Sequence, residues 1–242
     1  RMGDIYQFPF IDKPDRRMIN DGYKLLEELQ AVSRNGELTA LGKKMVAIPV
    51  DPRFSRMLIE ASRMSALSEI LVIASVLSVQ DPRERPAEGQ QKANQLHAQW
   101  EHKDSDFMTF LNLWRGLDEH RQSLSKNQFA KYCRRQCLSF LRVQEWRDLH
   151  RQLSLACRKL GLRETSSPAS YSAVHRAILC GLLSHVAVND RGREFMSTRN
   201  RRVFIFPTSG QVKKPPKWMV AASLMETTKQ YALNVAKIDP TW

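Results

Sequence analysis

Cationic side chains are concentrated in the second half of the chain, where they suit binding to phosphate groups. Residues 126–242 carry 21 Lys and Arg against 7 Asp and Glu, whereas residues 1–125 carry 17 against 18. The formal charge of +13 therefore comes almost entirely from the second half. Each phosphate that a Lys or Arg neutralises releases counterions, so such a surface binds polyanions in a salt-dependent way. Charge alone does not distinguish RNA from DNA or from anionic lipid.

The candidate phosphate-binding residues form two groups. The first group lies between residues 131 and 151, where the alternative to phosphate binding is an ordinary solvated helix face. For Lys213 and Lys214 of the second group, the alternative is the exposed tip of a loop. In the second group, hydroxyls and backbone N–H groups at a small turn suit phosphate and sugar contacts. The first group is Lys131, Arg134, Arg135, Arg142 and Arg151, and the second is Arg199, Arg201, Arg202, Thr208, Ser209, Gly210, Lys213, Lys214 and Lys229.

Catalytic chemistry is not indicated by the sequence. The chain has no Gly-x-x-x-x-Gly-Lys-Ser/Thr loop, Asp-Glu-x-His run, His-Glu-x-x-His site or Gly-x-Ser-x-Gly elbow. Cys133 and Cys137 lie one helical turn apart, but no second pair of ligands has matching spacing, which favours reduced thiols over zinc. We expect no catalytic residue, metal or cofactor in this chain.

The first sixty residues show the order of elements that is typical of a winged helix. An amphipathic pattern from Asp15 to Ala31 predicts a helix, and the Asn-Gly turn at residues 33–36 suits a tight hairpin. Thr39 is a candidate N-cap of a short helix that ends before Pro49. Asp51 and the proline after it are expected to begin the next helix.

The remaining residues divide into a helical part and a part rich in short strands. Residues 67–79 are apolar on nearly all sides and predict a central buried helix, and residues 90–160 are almost entirely helical in pattern. The helical spacing of their aromatic residues favours core packing over a base-stacking platform; these are Phe107, Phe110, Trp114, Phe140 and Trp146. Between residues 186 and 238, four or five strand-like runs predict a small barrel of the OB (oligonucleotide-binding) type. The fold class is thus mainly α with a C-terminal β-barrel.

Several segments, in order, resemble the region that follows the second RecA-like domain of DEAH-box RNA helicases. They are residues 8–26, 38–53, 69–79 and 218–242, together with the run Val-Phe-Ile-Phe-Pro-Thr-Ser at 203–209. The run Glu-Trp-Arg-Asp-Leu-His-Arg-Gln-Leu at 145–153 is most similar to the bacterial HrpA-type branch. The sequence departs from the family pattern at Phe206, where a His is usual, and at His150, where eukaryotic relatives often have Arg.

The resemblance implies a division into three domains that pack on two RecA-like motor domains. We expect a linker and winged helix in residues 1–60, a helical ratchet-like domain in 61–168 and an OB fold in 169–242. Single-stranded RNA would thread between motor and appendage. ATP and magnesium would bind in the motor domains, which are not part of this chain. The ribosome and a protein activator are further candidate partners.

The sequence therefore predicts the accessory C-terminal module of an ATP-dependent RNA helicase. A free-standing winged-helix DNA-binding regulator is one alternative, although Asp21, Glu27 and Glu28 make the helix before the wing a poor phosphate-facing element. A structural docking platform that touches RNA little is another. The longest apolar run, residues 70–77, is too short for a membrane span. We expect a cytoplasmic monomer.

Overall fold

The structure, a computed structural model, describes residues 5–198 and 200–242. It begins with helices and ends with a β-barrel, as the sequence predicts. The helices are α1 (Arg16–Glu28), α2 (Ala40–Val46), α3 (Pro52–Arg63), α4 (Leu67–Leu77), α5 (Gln90–His97), α6 (Asp106–Ser123), α7 (Lys126–Arg135), α8 (Phe140–Lys159) and α9 (Tyr171–Leu182). The strands are β1 (Val186–Arg191), β2 (Glu194–Ser197), β3 (Arg202–Ile205), β4 (Trp218–Glu226) and β5 (Gln230–Lys237).

Side-chain caps set the boundaries of the first helices. The Thr39 hydroxyl accepts a hydrogen bond from the Gly42 N–H at 2.9 Å, so Thr39 is the N-cap of α2 as predicted. Asp51 caps α3 in the same way through the Arg53 N–H at 2.8 Å. Helix α1 ends at Glu28, short of the predicted end near Ala31, because the chain turns at Gln30 with a φ of 59°.

All the described α-helices except α5 contribute to one continuous hydrophobic core. Helix α4 lies at its centre, with nine of its eleven residues buried, which confirms the prediction of a central buried helix. The indole N–H of Trp146 on α8 donates to the Val72 carbonyl at 3.0 Å and so ties α8 to α4. Phe107, Phe110 and Trp146 are buried as predicted, whereas Trp114 and Phe140 are only partly buried and pack against this core. Among the described helices, none has the length and apolarity needed to cross a membrane.

The strands form a closed barrel in the order β1-β2-β3-β5-β4, which confirms the predicted OB-type barrel. The parallel pairing of β3 with β5 completes the closure. Alternation along β4 divides its side chains, since Met219 and Ala221 fill the barrel while Val220 and Ala222 join the helical core. The barrel therefore shares one wall with the helices.

The predicted domain boundaries divide a core that the structure shows as continuous. The boundary after residue 60 falls inside α3, and α9, which we placed with the barrel, packs closely on α3. A β-carbon on Gly181 would lie only 2.3 Å from the Arg53 carbonyl oxygen, so this helix crossing requires glycine. The three-way division stays a prediction.

Replacing Gly181 by Ala should destabilise the chain by about 1–3 kcal/mol, because the added methyl group has no room in the α3–α9 crossing. Gly22→Ala is the matched control: it lies within α1, nothing lies within 4 Å of its added methyl, and it should stabilise by about 0.5–1 kcal/mol. Urea unfolding followed by circular dichroism measures both. An unchanged or raised midpoint for Gly181→Ala would contradict the close packing.

Candidate nucleic-acid interface

The predicted hydroxyl turn of the barrel is held by a buried carboxylate of the helical region. Asp106 lies in the first turn of α6, which begins there because the Ser105 hydroxyl accepts from the Met108 N–H at 3.2 Å. One Asp106 oxygen accepts from the Ser209 hydroxyl at 2.6 Å, and the other from the Gly210 N–H at 3.2 Å. The Val235 N–H of β5 donates to the first oxygen at 2.8 Å. Three donors from the barrel thus converge on one side chain.

This geometry changes what the turn offers to a ligand. The hydroxyl of Ser209 and the N–H of Gly210 are engaged inside the protein, whereas Thr208 is exposed and its hydroxyl has no hydrogen-bond partner among the described residues. RNA contact by the three stays a prediction. Without rearrangement, Thr208 is the member of the turn whose side chain is presented to solvent.

Burial raises the pKa of Asp106, and its hydrogen bonds with Ser209, Val235 and Gly210 act in the opposite direction. The buried guanidinium of Arg83 also favours the charged form of Asp106. Arg83 is itself fixed by Asp81 at 2.7 Å. The carboxylate is therefore costly to bury but fully supplied with donors.

A second polar cluster, next to Asp106, joins the same two parts of the chain. His175 is buried; its Nδ1 lies 2.7 Å from the Tyr171 carbonyl oxygen and its Nε2 lies 2.7 Å from the Ser105 hydroxyl. A carbonyl oxygen only accepts, so the ring proton sits on Nδ1 and the serine donates to Nε2. The Tyr171 hydroxyl points to the Lys237 carbonyl of β5 at 2.7 Å and to that of Asp104 at 2.9 Å. We call this cluster and Asp106 together the helix–barrel seam.

The first group of predicted phosphate-binding residues lies on α7 and α8. Lys131, Arg134 and Arg135 are exposed and have no hydrogen bond or ion pair with any other described residue. Arg142 donates to the Asp81 carbonyl at 3.2 Å and is partly buried, and Arg151 forms an ion pair with its helical neighbour Asp148. The cations on α7 are thus the most available of this group.

The second group surrounds the barrel. Arg202 lies 3.6 Å from Glu194, and Lys229 lies over the Phe204 ring at 4.5 Å. Because residues 203 and 230 are paired in the parallel strands β3 and β5, the residues that precede them, Arg202 and Lys229, are brought together on the barrel wall. Arg201, Lys213 and Lys214 are exposed. Arg199 lies outside the described residues.

The structure adds aromatic residues to the barrel group that sequence reasoning did not single out. Phe204 and Tyr231 are partly exposed neighbours on the outer wall, with ring centroids 6.3 Å apart, and Phe206 meets Tyr231 edge-on at 5.7 Å. Alternation along β3 was the available signal, since Val203 points into the barrel and the next residue must point outward. Rings beside a lysine suit stacking against nucleobases.

Comparison with known families accounts for most of the chain. Residues 23–50 match the helicase-associated domain (HA2) of winged-helix type, and residues 51–110 match the ratchet-like helicase-associated domain. Residues 174–242 match the oligonucleotide/oligosaccharide-binding (OB) fold. Residues 23–110 therefore match two parts of the helicase-associated (HA2) region, and residues 174–242 match an OB fold that follows it. The predicted winged helix, ratchet-like bundle and OB fold are thereby confirmed.

Two bacterial relatives agree with the resemblance of the sequence to the HrpA-type branch. The chain is 44% identical to the ATP-dependent RNA helicase HrpA of Escherichia coli K12 over 247 aligned residues. It is 43% identical to the HrpA homolog of Haemophilus influenzae over 249. Both matches cover 100% of this chain but 19% of the relative. The chain thus corresponds to about a fifth of the length of these helicases.

Acidification should weaken the helix–barrel seam through His175. Burial lowers the pKa of His175 to about 4 from 6.5, so the unfolded chain takes up a proton more readily than the folded one. This stability is complete above about pH 6.5 and is lost as the pH falls toward about 4, a change of up to about 3 kcal/mol. Urea unfolding between these pH values should show a steeper loss for the native chain than for His175→Gln. The other histidines are common to both proteins, and equal slopes would contradict the assignment.

Asp106→Asn should loosen the turn that carries Ser209, because an amide has one acceptor oxygen and its NH₂ group would face N–H donors. We expect a loss of about 1–3 kcal/mol in the free energy of unfolding. Hydrogen exchange should also show reduced protection at the Gly210 and Val235 amides. Asp239→Asn is the control, since that exposed carboxylate serves only its neighbour Thr241. Unchanged protection in Asp106→Asn would show that the turn does not depend on the carboxylate.

Proposed function

We propose that this chain is the accessory C-terminal module of an ATP-dependent DEAH-box RNA helicase and that it binds single-stranded RNA. The observation that carries the proposal is the ordered match to winged-helix, ratchet-like and OB-fold helicase-associated domains, in relatives named as RNA helicases. The charge of the second half, 21 basic against 7 acidic residues, supplies the attraction for a polyanion.

The proposed RNA contacts are cations on α7 and side chains on the outer wall of the barrel. On α7, Lys131, Arg134 and Arg135 are unpaired by any described residue and are free to meet phosphates. On the barrel, Phe204 and Tyr231 are available to bases that are not paired in a duplex. A surface with both features favours a single strand, because duplex bases are stacked inside the helix.

ATP hydrolysis and strand movement would come from RecA-like motor domains of the same polypeptide, which this chain does not contain. ATP and Mg²⁺ would bind in those domains, since the 242 residues have no phosphate-binding loop of the Gly-x-x-x-x-Gly-Lys-Ser/Thr type. Packing of this module on the motor would hold the RNA between the two. A cytoplasmic location, with the ribosome or a protein activator as a further partner, belongs to the same proposal.

A structural docking platform is the second candidate, and the helix–barrel seam favours it. Ser209 and Gly210, which would otherwise face RNA, are engaged by Asp106 inside the protein. In that case the appendage would mainly stabilise the motor, and RNA affinity would not depend on the exposed cations. Binding measurements on cation variants separate the two candidates.

Fluorescence anisotropy with a labelled oligouridylate of about 12 nucleotides tests the proposed function. We expect binding that weakens steeply with salt and that prefers the single strand over a duplex of equal length. Replacing Lys131, Arg134 and Arg135 together by Ala should lower the slope of log K against log salt by about 2. Arg16, Lys43 and Lys44, exposed in the neutral half, provide a control triple substitution that should change it little. Absence of binding even at low salt would contradict the proposal.

A further inference from the structure

A groove with a polar and aromatic lining opens between α6 and α8, and of the candidate residues described above only Arg151 lines it. Its volume is about 570 Å³. We call it the α6–α8 groove; its lining residues are Trp114, Asp118, Arg121, Gln144, Arg147, Asp148, His150 and Arg151.

Helical spacing explains how these residues come to share one groove. Trp114, Asp118 and Arg121 lie four and three residues apart and occupy one face of α6. Arg147 and Arg151, four residues apart, occupy one face of α8. The two helices meet where the Trp114 ring lies 4.9 Å from the buried Trp146 ring, and the groove opens toward solvent beyond these two rings.

Arg147 lies in the groove with part of its hydrogen-bonding capacity unused. Its guanidinium contacts the Trp114 ring, 4.6 Å from the centroid, and forms an ion pair with Asp118. Its Nη1 is buried and has no hydrogen-bond partner among the described residues. A guanidinium N–H without an acceptor is unfavourable. Because Nη1 is buried, an anion reaches it only when the Arg147 side chain turns toward the groove, and that turn would gain a hydrogen bond.

The charges of the groove leave room for an anion. Each carboxylate is already paired, Asp118 with Arg147 and Asp148 with Arg151. Arg121 is exposed, has no partner among the described residues, and lies close enough to Arg147 to lower the pKa of that guanidinium, after the larger effect of burial. Two guanidinium groups that line the same groove and have unused donors suit phosphate oxygens.

We propose that the α6–α8 groove binds a phosphodiester group of single-stranded RNA, with the guanidinium groups of Arg121 and Arg147 as its donors. The inference rests on the proposed function and adds a specific site to it. The Trp114 and His150 rings, whose centroids are 4.7 Å apart, form an aromatic side of the groove next to these donors. A ribose or base attached to the phosphate would contact these rings, whereas binding of an acidic peptide side chain would not require contact with them.

The strand can continue from the groove along α8. Arg151 lies at its edge, paired only with the exposed Asp148, and surface pairs of this kind exchange readily for another anion. Arg158 follows two helical turns further on the same face, exposed and in an ion pair with Glu164 at 3.4 Å. An extended RNA would therefore meet further cations after leaving the groove.

Arg121→Ala, compared with Arg115→Ala, tests the inference. Arg115 is an exposed arginine on the same helix that does not line the groove, so the two variants change the charge equally. We expect Arg121→Ala to weaken binding of a labelled oligouridylate of about 12 nucleotides by about three- to tenfold. It should also lower the salt slope by about 0.7, the value for one phosphate on a single strand. Arg115→Ala should weaken binding less than about twofold, and circular dichroism should show both variants folded.

Each outcome decides between the two proposals. If the native chain binds RNA and both variants bind equally well, the groove is not the site, while the proposed function stands. If the native chain does not bind RNA, both proposals fail. If Arg121→Ala abolishes binding of a labelled oligoglutamate peptide and leaves RNA binding unchanged, the groove serves an acidic protein segment instead, and the inference is overturned.

Cross-linking provides a readout that does not depend on affinity. Irradiation of the native chain with an oligonucleotide that contains 4-thiouridine should give adducts in the peptides that carry Trp114 or His150. Mass spectrometry locates these adducts. Cross-links confined to the barrel and α7 would overturn the inference even if Arg121→Ala binds weakly.

Discussion

The placement of the barrel depends on the hydrogen bonds that the buried carboxylate of Asp106 accepts. Asp106 stands in the first turn of α6 and accepts hydrogen bonds from a hydroxyl, a turn N–H and a strand N–H of the barrel. A negative group near the N-terminus of a helix is also favoured by the helix dipole. Hydrophobic burial holds the two parts together without directional preference, whereas this carboxylate selects one orientation.

The shared wall between helices and barrel has a consequence for motion. Val220 and Ala222 of β4 belong to the helical core, while the residues alternating with them fill the barrel. Separating the two parts would expose apolar surface and leave the donors around Asp106 unpaired, so both terms oppose hinge motion at this point. The ratchet-like and OB-fold parts are therefore expected to move together as one unit.

Local features of the sequence were enough to predict most elements. Thr39 and Asp51 are caps that act within three residues, and the alternation around Val203 follows from the geometry of a strand alone. The partner of Ser209 was not predictable in this way, because Asp106 is 103 residues distant and no local pattern marks its carboxylate as an acceptor for the barrel. Trp114 was assigned to the core because its spacing fits a buried helix face. The burial of Trp114 depends on how α6 packs against α8, and the spacing of residues along one helix carries no information about that packing.

The same limit applies to the candidate binding residues. Lys131, Arg134 and Arg135 could be identified from charge imbalance, and the structure leaves them exposed. Arg121 stands beside Glu119 in a nearly neutral stretch, so composition gave no reason to select it. Its closeness to Arg147 arises only when two helices separated in sequence are packed side by side.

Closure of the barrel by the parallel β3–β5 pairing determines how it can recognise a partner. Each strand of the barrel has two hydrogen-bonded neighbours, so the described strands offer no free edge to which an extended chain could add. Recognition must then pass through outward side chains and the turns between strands. Those on β3 and at the start of β5 include the rings of Phe204 and Tyr231, with Lys229 beside them, and such groups can contact any base and any phosphate alike. A barrel of this kind would let the proposed RNA partner slide past it, because no nucleotide of the RNA is bound in preference to the next.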